Sequence, residues 1–183
     1  VLVQKTFSGV DSFTLLAIPL FILSGNVMSA GGVSQRLVNL ASCAFGHYRG
    51  GLAQVLTAAC TFFGAIAGSA PATAAAIGSV MLKPMVEKGY PVKFAAACTA
   101  ASGVIGLLIP PSVTMVVYGV ISGASIGKLF LGGIIPGLIM SAAIMVANYC
   151  IARKISLKKE PKKDFPETVQ AVKKAFWALM MPI

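Results

Sequence analysis

The sequence predicts an all-α membrane protein, a multi-span bundle with one re-entrant helical hairpin and one helix broken by prolines. Hydrophobic residues make up 57% of the 183 residues and charged residues only 11%, whereas a soluble globular domain usually carries about a quarter charged residues. Four apolar stretches contain no charge and are each long enough to cross or re-enter a bilayer about 30 Å thick. They are residues 12–28, 52–82, 94–127 and 129–152.

Residues 1–50 are predicted to hold the first span and an amphipathic helix. In that helix, apolar residues recur at helical spacing on one face and polar residues lie on the other. The apolar face is Val33, Leu37, Leu40, Ala41, Ala44 and Phe45, and the polar face is Ser34, Gln35, Arg36 and Asn39. The segment is too short and too polar to span a bilayer, so we place it flat in the membrane interface.

Residues 51–90 are predicted to form the re-entrant hairpin. A first apolar limb runs into the glycine-rich segment 64–71 (GAIAGSAP), and a second limb continues to Glu87. Neither limb reaches the roughly 20 residues that a full crossing needs. Pro71 suits the first turn of a new helix, where its missing N–H has no consequence. We therefore expect two short helices that meet tip-first inside the membrane.

Residues 91–154 are predicted to hold the broken transmembrane helix and the span that follows it. The first helix runs to residue 106, is interrupted at Pro110 and Pro111, and resumes over residues 113–121. Two consecutive prolines remove two backbone donors and exclude helical geometry from the residues before them. A short linker over residues 122–128 then leads to the last crossing.

The basic residues lie between the apolar runs, not in one stripe as nucleic-acid binding would require. The net charge is +10, and the bases are densest in residues 155–183, predicted to be a cytoplasmic linker and an amphipathic helix. Bases in the loops of one side are typical of cytoplasmic loops. If that linker is cytoplasmic, both hairpin ends face the cytoplasm and only Lys5 and Lys128 lie outside.

A re-entrant hairpin beside a broken helix is typical of ion sites built from helix ends. Helix N-termini offer N–H groups to an anion, and unwound carbonyls coordinate a small cation. The alternative, that both features only pack, stays open. No carboxylate lies between Asp11 and Glu87 or between Glu87 and Glu160, which favours sodium held by neutral oxygens over a proton relay. We expect no enzyme and no cofactor, because His47 has no catalytic partners nearby.

Three motifs follow one another along the chain. They are residues 68–78 (GSAPATAAAIG), 108–112 (LIPPS) and 128–138 (KLFLGGIIPGL). With the opening segment 7–28 they resemble the large permease (M) subunit of tripartite ATP-independent periplasmic (TRAP) transporters, over essentially the whole chain. The resemblance implies one half of an inverted-repeat elevator transporter, crossing the bacterial or archaeal inner (plasma) membrane several times.

The same resemblance implies a function and partners. It implies sodium-coupled, ATP-independent import of organic acids of the dicarboxylate, keto acid or sialic acid type. An extracytoplasmic solute-binding protein would hand over the substrate, and a small four-span membrane subunit would assist. Two other functions stay open: a direct-uptake anion and sodium symporter of the same architecture, and a membrane scaffold subunit that does not transport.

The resemblance also implies a sodium site between the hairpin tip and the broken helix. Its residues would be Ala67, Gly68, Ser69, Gly106, Leu108 and Pro111. Family members often carry serines where this chain has Ala65 and Ala67, so backbone oxygens and Ser69 would supply the coordination. Thr73 and Ser112 are candidates for the substrate side, and hydroxyls bonded back to their own helix are the alternative.

The two ends of the chain carry a further expectation. The chain begins at Val1 without a methionine and ends at Ile183 inside a rising apolar pattern, so we expect both ends to be cut. We expect the second hairpin and its ion site to lie beyond Ile183, and this piece alone to be unable to transport.

Overall fold

A computed structural model describes residues 17–155 and Leu157, and this part of the chain is all helical. In chain order the helices are α1 (Ala17–Ala30), α2 (Val33–Phe45), α3 (Gly51–Ala67), α4 (Ala70–Glu87), α5 (Val92–Gly103), α6 (Ile105–Leu108), α7 (Val113–Ser122) and α8 (Ile126–Lys154). Residues 1–16, 156 and 158–183 lie outside the described part. The start of the first predicted span and nearly all of the predicted linker and amphipathic helix over residues 155–183 therefore stay predictions.

Helices α3 and α4 form a hairpin. α3 ends because Gly68 adopts the left-handed conformation, with a φ of 58°, a common helix stop. Ser69 is extended, and Pro71 lies in the first turn of α4, where a proline fits. The backbone N–H of Leu52 donates to the Tyr90 hydroxyl at 3.3 Å. That bond joins the two far ends of the hairpin, so the helices run antiparallel as the sequence predicts.

We expect Tyr90→Phe to lower the free energy of unfolding by about 1 kcal/mol, because it removes the acceptor of the Leu52 N–H. Thermal unfolding of the purified full-length protein in detergent measures the change. Tyr48→Phe is the control, since Tyr48 is 48% exposed and its replacement leaves the hairpin bond intact. Equal stability of the two variants would show that this bond does not close the hairpin.

The broken helix consists of α5, α6 and α7. The segments before and after the main break are bent by 42°, and the break lies where Pro110 and Pro111, joined by a cis peptide bond, offer no N–H. The helical hydrogen-bond pattern lapses at Val104, but its backbone angles stay helical (φ −59°, ψ −27°), so the segment before the main break runs from Val92 to Leu108. Gly103 and Gly106 flank Val104, and glycine is a weak helix former.

Among the described residues, α8 alone is long and apolar enough to cross a membrane as a single helix, judged by length and composition. The bent pair over residues 92–122 adds a second candidate if it counts as one span, while α1 and α3 are apolar but shorter. The predicted linker over residues 122–128 is wrong in length, because α8 begins at Ile126. Gly123 ends α7 with a φ of 71° and Ser125 takes the N-cap position, so both boundary residues favour a short connection.

Helix α2 packs its apolar stripe mainly against α3. Val33, Leu37 and Ala41 are buried as predicted. Ser34, predicted on the polar face, is buried, and Ala44, predicted on the apolar face, is exposed. The buried stripe is rotated toward Ser34, whose small side chain lets the neighbouring helix approach closely.

Helices α3 and α5 pack side by side and run in the same direction. Cys98 Sγ lies 4.0 Å from the Ala53 carbonyl oxygen, and Thr57 Oγ1 lies 2.9 Å from Ser102 Oγ; each pair is separated by 45 residues. An equal separation in two successive contacts is what parallel helices in a constant register produce. The C-terminal ends of α3 and of the α5–α6 segment therefore lie beside one another at the same end of the bundle.

Candidate functional site

The turn of the hairpin lies against the main break of the broken helix, between α6 and α7. The carbonyl oxygen of Gly68 accepts a hydrogen bond from the backbone N–H of Val113 at 3.1 Å. A Cβ atom placed on Gly68 would lie 2.5 Å from the carbonyl oxygen of Pro111 and 2.5 Å from the ring of Phe21. Position 68 therefore needs glycine for space as well as for its positive φ. The two irregular segments form one site.

Backbone carbonyls at the ends of α3 and α6 lack their helical donors. In an α-helix each carbonyl accepts from the N–H four residues later. Pro71 stands four residues after Ala67, and Pro110 stands four residues after Gly106, so neither carbonyl has that N–H. Each helix C-terminus also carries about half a negative elementary charge. Two such ends side by side attract a cation.

The starts of α4 and α7 lie at the same site. Ser69 and Ser112 precede these helices in extended conformations, and neither side chain makes a capping hydrogen bond. The N–H groups in the first turn of each helix carry a partial positive charge. The Gly68 carbonyl uses the Val113 N–H, and the remaining N–H groups suit an anionic group.

Most of the residues that the resemblance assigns to sodium meet at this site: Ala67, Gly68, Ser69, Gly106 and Pro111. A Cβ atom on Gly106 would lie 3.1 Å from the Ser69 carbonyl oxygen. The carbonyl of the sixth residue, Leu108, lies against Gly133 of α8, where an added Cβ atom would be 2.6 Å away. The binding of sodium by these residues stays a prediction.

The two predicted substrate-side hydroxyls are both buried. Thr73 Oγ1 donates to the Ser69 carbonyl oxygen at 2.8 Å, which is the bond to its own helix that the sequence left open as the alternative. Ser112 is only 1% exposed, and its Oγ lies 3.1 Å from Thr114 Oγ1. Each hydroxyl keeps hydrogen-bonding capacity beyond its present partner, and a role in substrate binding stays a prediction.

The two stretches that build the site contain only neutral groups. No Asp, Glu, Lys, Arg or His lies between Arg49 and Lys83 or between Lys93 and Lys128. Within residues 17–155 and Leu157, no group of three His, Cys, Asp or Glu is placed to hold a metal ion. The polar atoms of the site are backbone carbonyls, backbone N–H groups and hydroxyls. Rings of neutral carbonyl oxygens are ligands that alkali cations accept.

Sequence reasoning missed Gly64, Gly103 and Phe21. A Cβ atom on Gly64 would lie 2.8 Å from the Gly106 Cα, and one on Gly103 would lie 2.8 Å from the Ala74 Cβ. Phe21 lines an apolar pocket of about 40 Å³ beside the break. The available signal was the recurrence of glycine every three or four residues near the end of both helices, since small residues mark close helix packing. Phe21 left no comparable signal.

Paired helix breaks with neutral oxygens, set in short apolar helices, indicate a membrane transport protein as the class. The family model described as "Tripartite ATP-independent periplasmic transporter, DctM component" matches residues 1–183. The chain belongs to this family, as its three motifs predict.

Three relatives illustrate the similarity. The isethionate TRAP transporter permease protein of Oleidesulfovibrio alaskensis is 49% identical over 181 residues, which are 98% of this chain and 28% of that protein. The C4-dicarboxylate TRAP transporter large permease protein of Pseudomonas aeruginosa is 44% identical over 98% of this chain and 42% of that protein. The sialic acid TRAP transporter large permease protein of Vibrio cholerae is 42% identical over the same shares, 98% and 42%.

The three relatives are much longer than this chain. It spans less than half of the length of each of these three proteins. Their names describe transport permeases, and none of the names is that of an enzyme.

Proposed function

We propose that this chain is part of the permease subunit of a sodium-coupled secondary transporter that works without ATP. The observation that carries the proposal is the close packing of the ends of α3 and α6, where an added Cβ on Gly64 would lie 2.8 Å from Gly106 Cα, together with the carbonyls of Ala67 and Gly106, which have no helical donor. A sodium ion held there by neutral oxygens would couple its own entry to the uptake of the solute. The absence of any acid or histidine from both stretches that build the site favours sodium over a proton.

In this proposal the hairpin enters and leaves the inner (plasma) membrane on the cytoplasmic side. α3 has 17 residues and α4 has 18, fewer than the roughly 20 of a full crossing. Arg49, Lys88 and Lys93 flank the open end of the hairpin, while Lys128 lies at the start of α8, the asymmetry that orients membrane proteins. The remaining length of the relatives leaves room for a second, inverted repeat and for elevator motion of the two together.

The proposed substrate is an organic acid. Its carboxylate would be met by first-turn N–H groups of α4 and α7, since the site has no basic side chain. The names of the relatives include C4-dicarboxylate, sialic acid, isethionate and ectoine, each of which carries a carboxylate or sulfonate group, and they support a solute with an acidic group. The words "tripartite" and "large permease" support two partners, an extracytoplasmic solute-binding protein and a small four-span subunit.

A sodium titration of uptake by the full-length system tests the proposal. We expect uptake to require sodium and to stop when choline replaces it. Ser69→Ala should raise the half-saturating sodium concentration about fivefold, the effect of losing an interaction of about 1 kcal/mol, because the Ser69 side chain makes no capping bond and is available to the ion.

Ser79→Ala is the matched control for this titration. Ser79 lies in α4, the helix that follows Ser69, is exposed, and donates to the Ala76 carbonyl oxygen, so its replacement should leave the sodium dependence unchanged. Uptake that continues in choline would contradict sodium coupling. An identical sodium dependence for Ser69→Ala and the parent would remove the Ser69 hydroxyl from the ion site.

A further inference from the structure

A buried hydroxyl group joins α3, α5 and α8 well away from the hairpin turn. Thr57 Oγ1 lies 3.0 Å from the Ala53 carbonyl oxygen, 2.9 Å from Ser102 Oγ and 2.9 Å from Asn148 Nδ2. Thr57 and Ser102 are fully buried, and Asn148 is 5% exposed. The proposed ion chemistry does not use any of these side chains directly.

The hydrogen bonds of this junction have a determined direction. A threonine hydroxyl has one proton to donate and two lone pairs to accept with. The Ala53 carbonyl can only accept, so it takes the Thr57 proton, and Asn148 Nδ2 can only donate. Ser102 must therefore donate its own proton to Thr57. The Thr57 hydroxyl is saturated, and without it two buried donors, on α5 and on α8, lose this acceptor and keep only the weakly accepting Cys98 sulfur nearby.

The same face of α3 holds α8 at two further points. Gln54 Nε2 donates to the Met145 carbonyl oxygen at 2.7 Å. Thr61 Oγ1 donates to the Thr57 carbonyl oxygen, so the contact of 2.7 Å between Thr61 and Ser141 is donated by Ser141 Oγ. α8 is thus bonded to α3 over two turns, with Thr57 between the two outer contacts.

Helix α8 also packs against the main break of the broken helix, which lies between α6 and α7. A Cβ atom on Gly133 would lie 2.6 Å from the Leu108 carbonyl oxygen, and one on Gly137 would lie 2.7 Å from the Ile109 side chain. Besides the direct contacts at Gly64 and Gly68, the position of the break relative to the hairpin is therefore set along two routes that both start at Thr57. One route runs directly through α5, and the other runs through α8.

We propose that Thr57 is a positioning residue of the cation site, because its hydroxyl holds α3, α5 and α8 in the register that brings the carbonyl ends at Ala67 and Gly106 together. The inference rests on the proposed function and adds the residue that sets the geometry of that site. A slip of one residue displaces a helix by about 1.5 Å. The groups of a binding site must be held to within about 0.5 Å of their working positions, so such a slip would disrupt the site.

The test compares Thr57→Val with Thr99→Val in sodium titrations of uptake by the full-length system. Valine keeps the shape of threonine and removes the hydroxyl. Thr99 is also buried, but its hydroxyl bonds only to the Ala95 carbonyl of its own helix. We expect Thr57→Val to raise the half-saturating sodium concentration about tenfold, with maximal uptake per molecule retained. Thr99→Val should leave it unchanged, and Thr57→Ser, which keeps the hydroxyl, should restore the parent value.

The outcomes distinguish a failure of this inference from a failure of the proposed function. If the parent takes up solute equally well without sodium, the proposed function fails. If the parent needs sodium but Thr57→Val titrates like Thr99→Val, only the inference fails. Should Thr57→Val not accumulate in the membrane, Ser102→Ala removes one of the two donors and leaves Thr57 bonded to Ala53 and Asn148. A half-saturating sodium concentration unchanged in that variant would also overturn the inference.

Discussion

Replacing Gly68 with alanine is expected to reduce sodium-dependent uptake about a hundredfold or more. A non-glycine residue at a φ of 58° costs about 1–3 kcal/mol. The added Cβ atom would also lie 2.5 Å from the carbonyl oxygen of Pro111. Neither backbone can yield without moving the turn away from the break, so the two carbonyl ends would separate. Uptake at saturating sodium, normalised to the amount of protein in the membrane, measures the loss.

Gly89→Ala is the matched control for this replacement. Gly89 has a φ of 84°, and a Cβ atom there would have no neighbour within 4 Å. It shares the conformational cost of Gly68→Ala without the clash, and it lies at the open end of the hairpin. We expect it to retain most of the uptake. If both variants lose uptake equally, the loss reflects backbone strain alone. The close approach of Gly68 to Pro111 would then not contribute to uptake.

The double replacement Pro110→Ala and Pro111→Ala is expected to have a comparably large effect. Alanine restores the two N–H groups that α6 lacks, so the carbonyls of Gly106 and Leu107 can take helical bonds and the break can close. Carbonyls engaged in a helix are no longer available to an ion. We expect sodium-dependent uptake to fall to the background level, measured with the same titration.

Pro136→Ala is the control for the proline pair. Pro136 lies inside α8 between Gly133 and Gly137, which face the break, but Pro136 itself is exposed. Its replacement also removes a proline from a membrane helix but leaves both carbonyl ends untouched, so uptake should persist. Normal sodium dependence in the double variant would mean that the break at Pro110 and Pro111 is not part of the ion site.

Local chemistry made the two breaks predictable from the sequence. Gly68 and Pro71 mark the end of one helix and the first turn of the next, and both act within a few residues along the chain. Pro110 and Pro111 act equally locally, because a proline removes its own N–H and restricts the residue before it. The hairpin and the main break therefore lie where the sequence places them.

Contacts between helices were not predictable in the same way. The approach of Gly64 to Gly106, the hydrogen bond from Val113 to the Gly68 carbonyl and the Thr57 junction depend on which helices pair and in which register. The spacing of apolar residues in one sequence specifies neither the helix pairs nor their register. The burial of Ser34 has the same origin, since a serine is buried only where a neighbour supplies a close-fitting surface.

The direction of individual carbonyls was also beyond the sequence. Leu108 belongs to the motif that the resemblance assigns to sodium, yet its carbonyl lies against Gly133 of α8. Its orientation depends on the bend of the broken helix and on the packing of α8, and both are tertiary features. The sequence located the two breaks to within a few residues and left the orientation of the carbonyls around them open.

A difference map between the full-length protein in sodium and the same protein in choline tests the central claim most directly. We expect one additional peak between the end of α3 at Ala67 and the end of α6 at Gly106, within coordination distance of backbone oxygens, and no such peak in Gly68→Ala. Helices that run without interruption through Ser69 and Pro110, or a sodium peak only at another place, would contradict it.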